Sequence, residues 1–262
     1  MSDVLVMERV ERAFNKKGNQ VQAVTGIDLR IKRGDFIAIQ GPSGSGKTTL
    51  LNLLGCLDRV TSGKIVLGKQ DITYLDETEL STIRAKRIGF IFQDFNLIPI
   101  FTALENVELP MIANRTPRSE RRSKAMVLLR RVGLGKRMNH RPDELSAGEQ
   151  QRVAIARALA NDPSIILADE PTGNLDTANG KLIMDLLGQL NKELGTTIVI
   201  VTHDDRMAQM TKKRIYLKDG RIVQTEDTKP GLGPHLPGPS PAIETLPQLK
   251  KGRAQSPDLG GK

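Results

Sequence analysis

The chain has 262 residues and a formal net charge of +9, with 38% hydrophobic residues, 3% aromatic residues and no tryptophan. This length allows one large domain or two small ones, and aliphatic side chains must build the core. The single cysteine, Cys56, excludes an intramolecular disulfide, and no apolar run approaches the ~20 residues of a membrane-spanning helix. The start of the chain has no signal-peptide pattern. We therefore expect a soluble protein of a reducing compartment, whose basic character permits anionic partners.

The chain begins with strand patterns. Val4–Val10 and Val21–Ile31 are predicted strands on either side of a polar turn at Asn15–Asn19, and Phe14 lies just before that turn. A second turn at residues 33–35 leads into Phe36–Ile39, a short apolar run typical of a buried strand.

A glycine-rich stretch follows this strand, and it matches the phosphate-binding loop pattern G-x-x-x-x-G-K-[ST]. Its residues are Gly41, Pro42, Ser43, Gly44, Ser45, Gly46, Lys47, Thr48 and Thr49. A predicted helix, Thr48–Leu57, comes next, so the pattern has the strand–turn–helix context that favours a phosphate site over a flexible linker. Lys47 is predicted to contact the β- and γ-phosphates, and the Thr48 hydroxyl to ligate Mg²⁺.

The later elements follow from hydrophobic periodicity. Predicted strands are Lys64–Leu67, Ile88–Phe92, Ser164–Asp169, Thr197–Thr202, Arg214–Lys218 and Arg221–Gln224, the last two joined as a hairpin through Asp219-Gly220. Predicted helices are Glu77–Arg87, Thr102–Asn114, Pro117–Val132, Gly148–Ala160, Asp176–Leu194 and Asp204–Met210. Strands that alternate with helices indicate a mainly parallel α/β sheet.

Residues 102–160 contain helix patterns and no convincing strand. We therefore expect an inserted helical subdomain over roughly residues 94–160. In its second helix, Thr116 is a candidate N-cap. Ala125, Leu128, Leu129 and Val132 form one apolar stripe there.

Two adjacent carboxylates end the predicted strand at Ser164–Asp169. Asp169 at the carboxyl end of the strand can hold Mg²⁺ beside Thr48. Glu170 follows at once, outside the strand, and can polarise an attacking water.

The deciding stretch is Leu145-Ser146-Ala147-Gly148-Glu149-Gln150. It resembles the L-S-G-G-Q signature of ABC (ATP-binding cassette) ATPases, and it departs from that signature at Ala147, in place of the first glycine, and at its end, Glu149-Gln150. The same residues also predict a capping box between Ser146 and Glu149, and a capped helix start is itself a phosphate site. In the family, the matching serine and second glycine approach the γ-phosphate, which implies that role for Ser146 and Gly148.

Other family elements follow in the expected order. Gln93 resembles the Q-loop glutamine, which implies that it binds the metal ion and takes part in catalysis. Asp176 ends a stretch that resembles the D-loop, and His203 resembles the switch histidine that contacts the γ-phosphate. Phe14 takes the place of the aromatic residue that stacks on adenine. The resemblance covers residues 1–226, and residues 102–110 and 169–176 are most similar to the lipoprotein-release and macrolide-export branch.

The resemblance implies a P-loop α/β fold with an N-terminal antiparallel β portion and the helical insertion. It implies ATP and Mg²⁺ as cofactors and ATP hydrolysis coupled to a separate integral membrane permease subunit. Two copies would form a head-to-tail homodimer on the cytoplasmic face of the membrane. The alternative is a soluble ABC ATPase with a regulatory or nucleic-acid-linked role, although such proteins usually carry two cassettes or a coiled coil. A small-molecule kinase has no use for the signature stretch, and no specific nucleic-acid partner is expected.

Two surface features complete the sequence-based predictions. Ten basic residues and one acid, Glu120, lie between Arg115 and Arg141, so this stretch carries a charge equal to that of the whole chain. It is either a solvated helix face or a surface that contacts anionic lipid headgroups. Residues 227–262 form a proline- and glycine-rich tail that we expect to be disordered.

Overall fold

The computed structural model describes residues 2–16 and 19–228, which form two β-sheets and seven α-helices. The strands are β1 (Asp3–Lys16), β2 (Asn19–Lys32), β3 (Phe36–Gln40), β4 (Ser62–Leu67), β5 (Gln70–Asp71), β6 (Ile88–Ile91), β7 (Ile165–Asp169), β8 (Thr197–Val201), β9 (Lys213–Lys218) and β10 (Arg221–Asp227). The helices are α1 (Lys47–Leu54), α2 (Glu77–Arg87), α3 (Ala103–Ala113), α4 (Arg118–Arg131), α5 (Ala147–Ala158), α6 (Thr177–Leu194) and α7 (Asp205–Ala208).

The larger sheet has six strands in the order β10-β9-β3-β8-β7-β6. All neighbours in it are parallel except the β9–β10 hairpin. Its central strands are buried on both faces, which explains their continuous apolar sequences. In β3, for example, Phe36 and Ala38 pack in one core cluster while Ile37 and Ile39 pack in the other. The expected parallel α/β architecture is confirmed.

The smaller sheet is antiparallel, in the order β2-β1-β4-β5. β1 and β2 are longer than predicted and pair from Asp3 with Lys32 as far as Lys16 with Asn19. The predicted turn at Asn15–Asn19 was therefore too long, because exposed polar residues at the distal end of this hairpin still pair their backbones. β5 was not predicted, since two exposed residues carry no hydrophobic pattern.

Between β6 and β7 the described chain forms only helices: α3, α4, a short 3-10 helix at Pro142–Glu144, and α5. The apolar stripe predicted on α4 is buried against α3 and α5. The expected Thr116 cap was wrong, because Pro117 occupies the N-cap position and no side chain caps this helix. Thr102 does cap α3, through a reciprocal pair of hydrogen bonds with Glu105.

Other boundaries differ by a few residues. α1 ends at Leu54, where Gly55 follows, so Leu57 lies beyond the helix and is half exposed. β10 continues to Asp227, three residues past the prediction. The predicted tail lies outside the described residues from position 229 onward. Among the helices of the described part, none has the length and apolarity needed to cross a membrane.

Candidate functional site

The glycine-rich loop joins the buried strand β3 to helix α1, as the sequence predicted. Gly41 and Gly46 have φ angles of 151° and 100°, and added Cβ atoms would lie 2.0 Å from the Leu217 carbonyl and 2.2 Å from the Ala23 carbonyl. Both positions therefore require glycine. The Ser45 carbonyl accepts a hydrogen bond from the Gly220 N–H, which fastens the loop to the β9–β10 turn.

Helix α1 begins inside the loop, at Lys47. Gly46 is its N-cap, so no side chain satisfies the first-turn N–H groups. Those groups and the positive end of the helix dipole favour an anion at this point. The Lys47 ammonium lies 2.9 Å from the carbonyl oxygens of Gly41 and Pro42. The loop therefore presents a lysine and uncapped amides together, which is the arrangement that binds polyphosphate.

Asp169 and Glu170 lie where β7 ends. Burial raises the pKa of Asp169, the Glu170 charge raises it further, and Lys47 acts in the opposite direction. Glu170 itself has φ = 44°, an unusual value for a residue other than glycine.

Glu170 and His203 form a direct pair. His203 Nδ1 lies 2.8 Å from Glu170 Oε1, and the His203 backbone N–H donates to the same oxygen at 3.1 Å. This hydrogen bond and the Glu170 charge raise the pKa of His203. The Glu170 N–H in turn donates to the Val201 carbonyl, so the ends of β7 and β8 hold the two side chains together.

Gln93 lies two residues beyond the end of β6, next to Asn174. Its side-chain amide donates to Asn174 Oδ1 at 3.1 Å, and the Asn174 amide donates to the Gln93 carbonyl at 3.1 Å and to Asp94 at 2.8 Å. A Cβ at Gly173 would lie 3.0 Å from Gln93. The predicted Q-loop residue therefore packs against the segment that follows Glu170.

The signature stretch forms the capped start of α5. Ser146 Oγ accepts from the Glu149 N–H at 3.3 Å, and Glu149 accepts from the Ser146 N–H at 2.9 Å, so the predicted capping box is present. A Cβ on Gly148 would lie 3.2 Å from Asn179 Oδ1. Asn179 donates through its backbone and its side chain to Asp176, the N-cap of α6. These hydrogen bonds lower the pKa of Asp176. Because Asn179 also lies beside Gly148, the start of α6 and the start of α5 are neighbours.

Phe14 lies on β1 and is 38% exposed. The Arg12 guanidinium lies 4.3 Å from the centre of its ring, and Arg12 also pairs with Asp58 at 2.8 Å. Only part of the ring is therefore free to stack on a base.

Sequence reasoning missed the residues that support these loops. The buried Gln151 donates to the Pro171 carbonyl at 2.6 Å, which ties α5 to the segment that follows Glu170. Arg157, whose pKa burial lowers, donates to the backbone carbonyls of Phe95 and Asn96. Phe95 and Asn96 both have positive φ. A glutamine and an arginine on a helix are usually solvated, so no pattern of residues indicated either role.

The donor atoms here suit Mg²⁺. Thr48, Gln93 and Asp169 offer oxygen atoms, and Asp169 is a half-buried carboxylate. No cluster of three or more histidine, cysteine or acidic side chains that could hold a metal occurs among the described residues. Mg²⁺ fits such a sparse set, because it is commonly held by one or two side chains together with substrate phosphates.

A phosphate loop on the central strand of a parallel sheet, with carboxylates and a histidine at the ends of neighbouring strands, defines a P-loop ATPase. The ABC transporter family matches residues 24–173, more than half of the chain. The chain belongs to the ABC transporter family, and it is an ATP-binding, ATP-hydrolysing cassette.

Similar proteins carry transporter names. MJ0796 of Methanocaldococcus jannaschii, an ABC transporter ATP-binding protein, is 48% identical over 227 residues, 85% of this chain and 97% of the relative. The lipoprotein-releasing system protein LolD of Aquifex aeolicus is 47% identical, over 85% of this chain and 97% of its own. The macrolide export ATP-binding/permease protein MacB of Hyphomonas neptunium is 42% identical over 94% of this chain but only 39% of its own length.

A solved structure also matches this fold. It is a dimeric, post-hydrolysis state of the MJ0796 cassette bound to ADP and Pi, with a TM-score of 0.78 and 47% identity over 85% of this chain and 98% of that chain. This similarity confirms the ABC ATPase fold.

Proposed function

We propose that this chain energises a separate integral membrane subunit that exports substrate or releases lipoprotein. ATP would close two copies head to tail, and hydrolysis would let them open. The Glu170–His203 pair carries the proposal, because it places a candidate base and a candidate γ-phosphate sensor in contact at the end of the sheet that holds the phosphate loop. Relatives named for lipoprotein release and macrolide export support the direction of transport.

In this proposal each residue has a separate task. Backbone amides of the loop and Lys47 bind the phosphates, and Glu170 accepts the proton of the attacking water. His203 holds the Glu170 carboxylate in place from the end of β8. Thr48, Asp169 and Gln93 would hold Mg²⁺, which neutralises charge on the β- and γ-phosphates when bound. Phe14 would stack on the adenine.

The dimer would complete the site. The α5 start carries Ser146 and Gly148 and would approach the phosphate loop of the second copy, where its N-terminal dipole favours the γ-phosphate. Asp176, held by Asn179, would lie at the same interface. A solved structure of the MJ0796 cassette is dimeric, which supports the same assembly here.

Replacement of Glu170 by glutamine tests this function. The substitution keeps the side-chain size but removes the proton acceptor, so we expect ATP hydrolysis to fall by about 10²–10⁴-fold. ATP binding should survive, and ATP with Mg²⁺ should shift the variant to dimer on gel filtration. Glu193→Gln, at an exposed position on α6, is the matched control and should behave like wild type. Near-normal hydrolysis by Glu170→Gln would place the base elsewhere.

The partner and location can be tested together. We propose that the chain sits at the cytoplasmic face of the membrane through a permease subunit. Gentle detergent extraction from its native cells, followed by affinity purification, should recover a polytopic membrane protein in fixed ratio with this chain. Recovery of the chain only in the soluble fraction, without a membrane protein, would favour the soluble regulatory alternative.

We further propose that part of the basic stretch between Arg115 and Arg141 contacts anionic lipid headgroups. Four of its ten cations form salt bridges with acids outside the stretch: Arg121 and Arg122 with Glu108, Lys124 with Asp162, and Arg137 with Glu149. The other six are exposed and form no salt bridge within the described chain: Arg115, Arg118, Arg130, Arg131, Lys136 and Arg141. Each such residue near an anionic leaflet contributes roughly 1 kcal/mol.

Vesicle sedimentation tests the lipid proposal. The protein should bind anionic vesicles in a salt-sensitive way and should not bind neutral ones. Reversal of Arg115, Arg118, Arg130 and Lys136 to glutamate should abolish binding and spare basal ATP hydrolysis. Equal sedimentation of wild type and variant would leave the stretch as a solvated face, and tighter binding to DNA than to vesicles would favour a nucleic-acid-linked role.

A further inference from the structure

A second concave site lies at the opposite edge of the parallel sheet from the phosphate loop. It is a cavity of about 800 Å³. Arg87, Ser164 and Thr196 line it and lie immediately before β6, β7 and β8, and Arg33 lines it three residues before β3. Residues of the candidate nucleotide site follow the opposite ends of three of these strands: Gly41 follows β3, Glu170 follows β7 and His203 follows β8. The cavity is therefore separate from the nucleotide site, and its size is typical of small-molecule pockets.

The charge of the cavity is unbalanced. Its lining contains four cations, Arg33, Lys69, Arg87 and Arg131, and none of them forms a salt bridge with any residue between positions 2 and 228 that the structure describes. The lining also contains two acids, but cations outside the cavity pair with both: Arg30 with Asp3 at 3.3 Å and Lys124 with Asp162 at 2.5 Å. The cavity therefore keeps an excess of uncompensated positive charge.

The cavity also has an apolar wall, and one of its cations is fixed against that wall. Arg87 is partly buried, and one of its guanidinium nitrogens donates to the Leu67 carbonyl at 3.1 Å, which fixes the side chain against the wall. Leu67, Leu128 and Leu159 line the cavity as buried side chains, and Leu194 lines it while remaining 39% exposed. Guanidinium groups recognise phosphate through paired hydrogen bonds, and the leucines can cover an apolar body.

We infer that this cavity binds a small phosphate-bearing molecule with an apolar or aromatic portion. The phosphate would lie among Arg33, Lys69 and Arg87, and the apolar portion would lie against the leucines. Binding at the amino ends of β3, β6, β7 and β8 would give the cassette a second ligand site that does not compete with ATP for the phosphate loop.

Leucine-methyl NMR with phenyl phosphate as the probe tests this inference. Titration into the whole chain should produce saturable shifts of the Leu67, Leu128, Leu159 and Leu194 methyl signals. Shifts of Leu50 and Leu51, on α1, would report any binding at the phosphate loop separately. The neutral analogue phenol, at equal concentration, should produce much smaller shifts of the cavity leucines.

Two charge-matched variants decide whether the cations are responsible. Arg33→Glu with Lys69→Glu alters two exposed cations of the lining and should raise the dissociation constant for phenyl phosphate at the cavity leucines by at least ~10-fold, the effect of losing one charge-assisted hydrogen bond. Arg9→Glu with Arg59→Glu changes the net charge equally at two exposed cations outside the cavity and should leave it unchanged. Equal affinity in both variants, equal shifts with phenol, or no cavity shifts with phenyl phosphate would each overturn the inference.

The phosphate could come from a soluble metabolite or from a lipid headgroup. Phosphatidylglycerol vesicles that displace phenyl phosphate from the cavity leucines would identify a headgroup as an acceptable source. If the vesicles do not displace phenyl phosphate, so that the leucine methyl signals stay at their bound positions, the site takes only soluble ligands. The cavity is saturated with phenyl phosphate before the vesicles are added, so that displacement can be observed.

Discussion

At the residue scale, Glu170 is the most constrained member of the site. A left-handed φ at a residue other than glycine costs about 1–3 kcal/mol and persists only where the surroundings hold it. Here the Val201 carbonyl accepts its N–H, and His203 contacts its carboxylate through two nitrogens. The Glu170 carboxylate therefore lies against His203, just beyond the end of β8.

The first prediction concerns the pKa of His203. Its hydrogen bond to Glu170 and the Glu170 charge raise this pKa, so Glu170→Gln should lower it toward the ordinary histidine value. NMR titration of the imidazole signals would measure the change. Because the folded-state pKa is raised, the pair stabilises the fold fully below the unfolded pKa, and this contribution disappears as the pH rises through the folded pKa. An unchanged His203 pKa in the variant would contradict the Glu170 contact.

The second prediction concerns Lys47. Lys47→Ala removes the ammonium from the loop, and loss of one charge-assisted hydrogen bond corresponds to roughly 10–100-fold weaker ATP binding. Titration of a fluorescent ATP analogue would measure the affinity. Lys192→Ala removes an exposed lysine on α6, away from both the phosphate loop and the basic cavity, and should leave this affinity unchanged. Equal ATP affinity in the Lys47 variant and wild type would overturn the loop assignment.

At the element scale, the loop between β3 and α1 depends on the backbone more than on its side chains. Its shape comes from glycines with positive φ and from hydrogen bonds to the β9–β10 turn. α1 begins within the loop, so any shift of the loop also redirects the first-turn N–H groups that would face a phosphate.

The third prediction compares two glycines of this loop. A Cβ at Gly46 would lie 2.2 Å from a backbone carbonyl of β2, whereas a Cβ at Gly44 would meet nothing within 4 Å. Both have positive φ, so both alanine variants carry the same kind of backbone strain, but only Gly46→Ala must also move the main chain. We expect Gly46→Ala to lose far more ATP affinity and thermal stability than Gly44→Ala. Similar losses would mean that conformational strain, not the close contact, dominates.

At the scale of the whole molecule, the parallel sheet separates two chemistries. Its carboxyl edge carries the phosphate loop, Asp169, Glu170 and His203, and this is the edge where ligands bind in open α/β sheets. Its amino edge carries the basic cavity. The helices between β6 and β7 pack on one core cluster, and the small antiparallel sheet packs on the other.

The fourth prediction concerns the chain beyond β10. The sequence at residues 230–262 holds half of the chain's 14 prolines and few large apolar side chains. Its removal should leave ATP hydrolysis and melting temperature almost unchanged, because such a segment buries little surface. Calorimetry and a phosphate-release assay on the truncated protein would test this. A large drop in melting temperature would show that the tail packs on the cassette.

Many details of the site could be predicted from the sequence because their causes are local. The capping box of Ser146 and Glu149, the glycine pattern of the phosphate loop and the placement of Asp169 at a strand end each depend on a few neighbouring residues. The hairpin between β1 and β2 was predicted too short, and the Thr116 cap was wrong, because pairing and capping there depend on backbone geometry that the residue types do not reveal.

The motifs of the chain were enough to identify the family, the P-loop α/β fold and the candidate phosphate-binding residues. These follow from motifs whose chemistry requires particular residue types at particular spacings. The contacts between side chains distant in sequence became visible only in the folded molecule: Glu170 with His203, Gln93 with Asn174, Gln151 with the Pro171 carbonyl, and the acids that pair with part of the basic stretch. The reason is physical: a hydrogen bond or ion pair depends on distances of about 3 Å, and strands far apart in sequence come that close only when the sheet has formed.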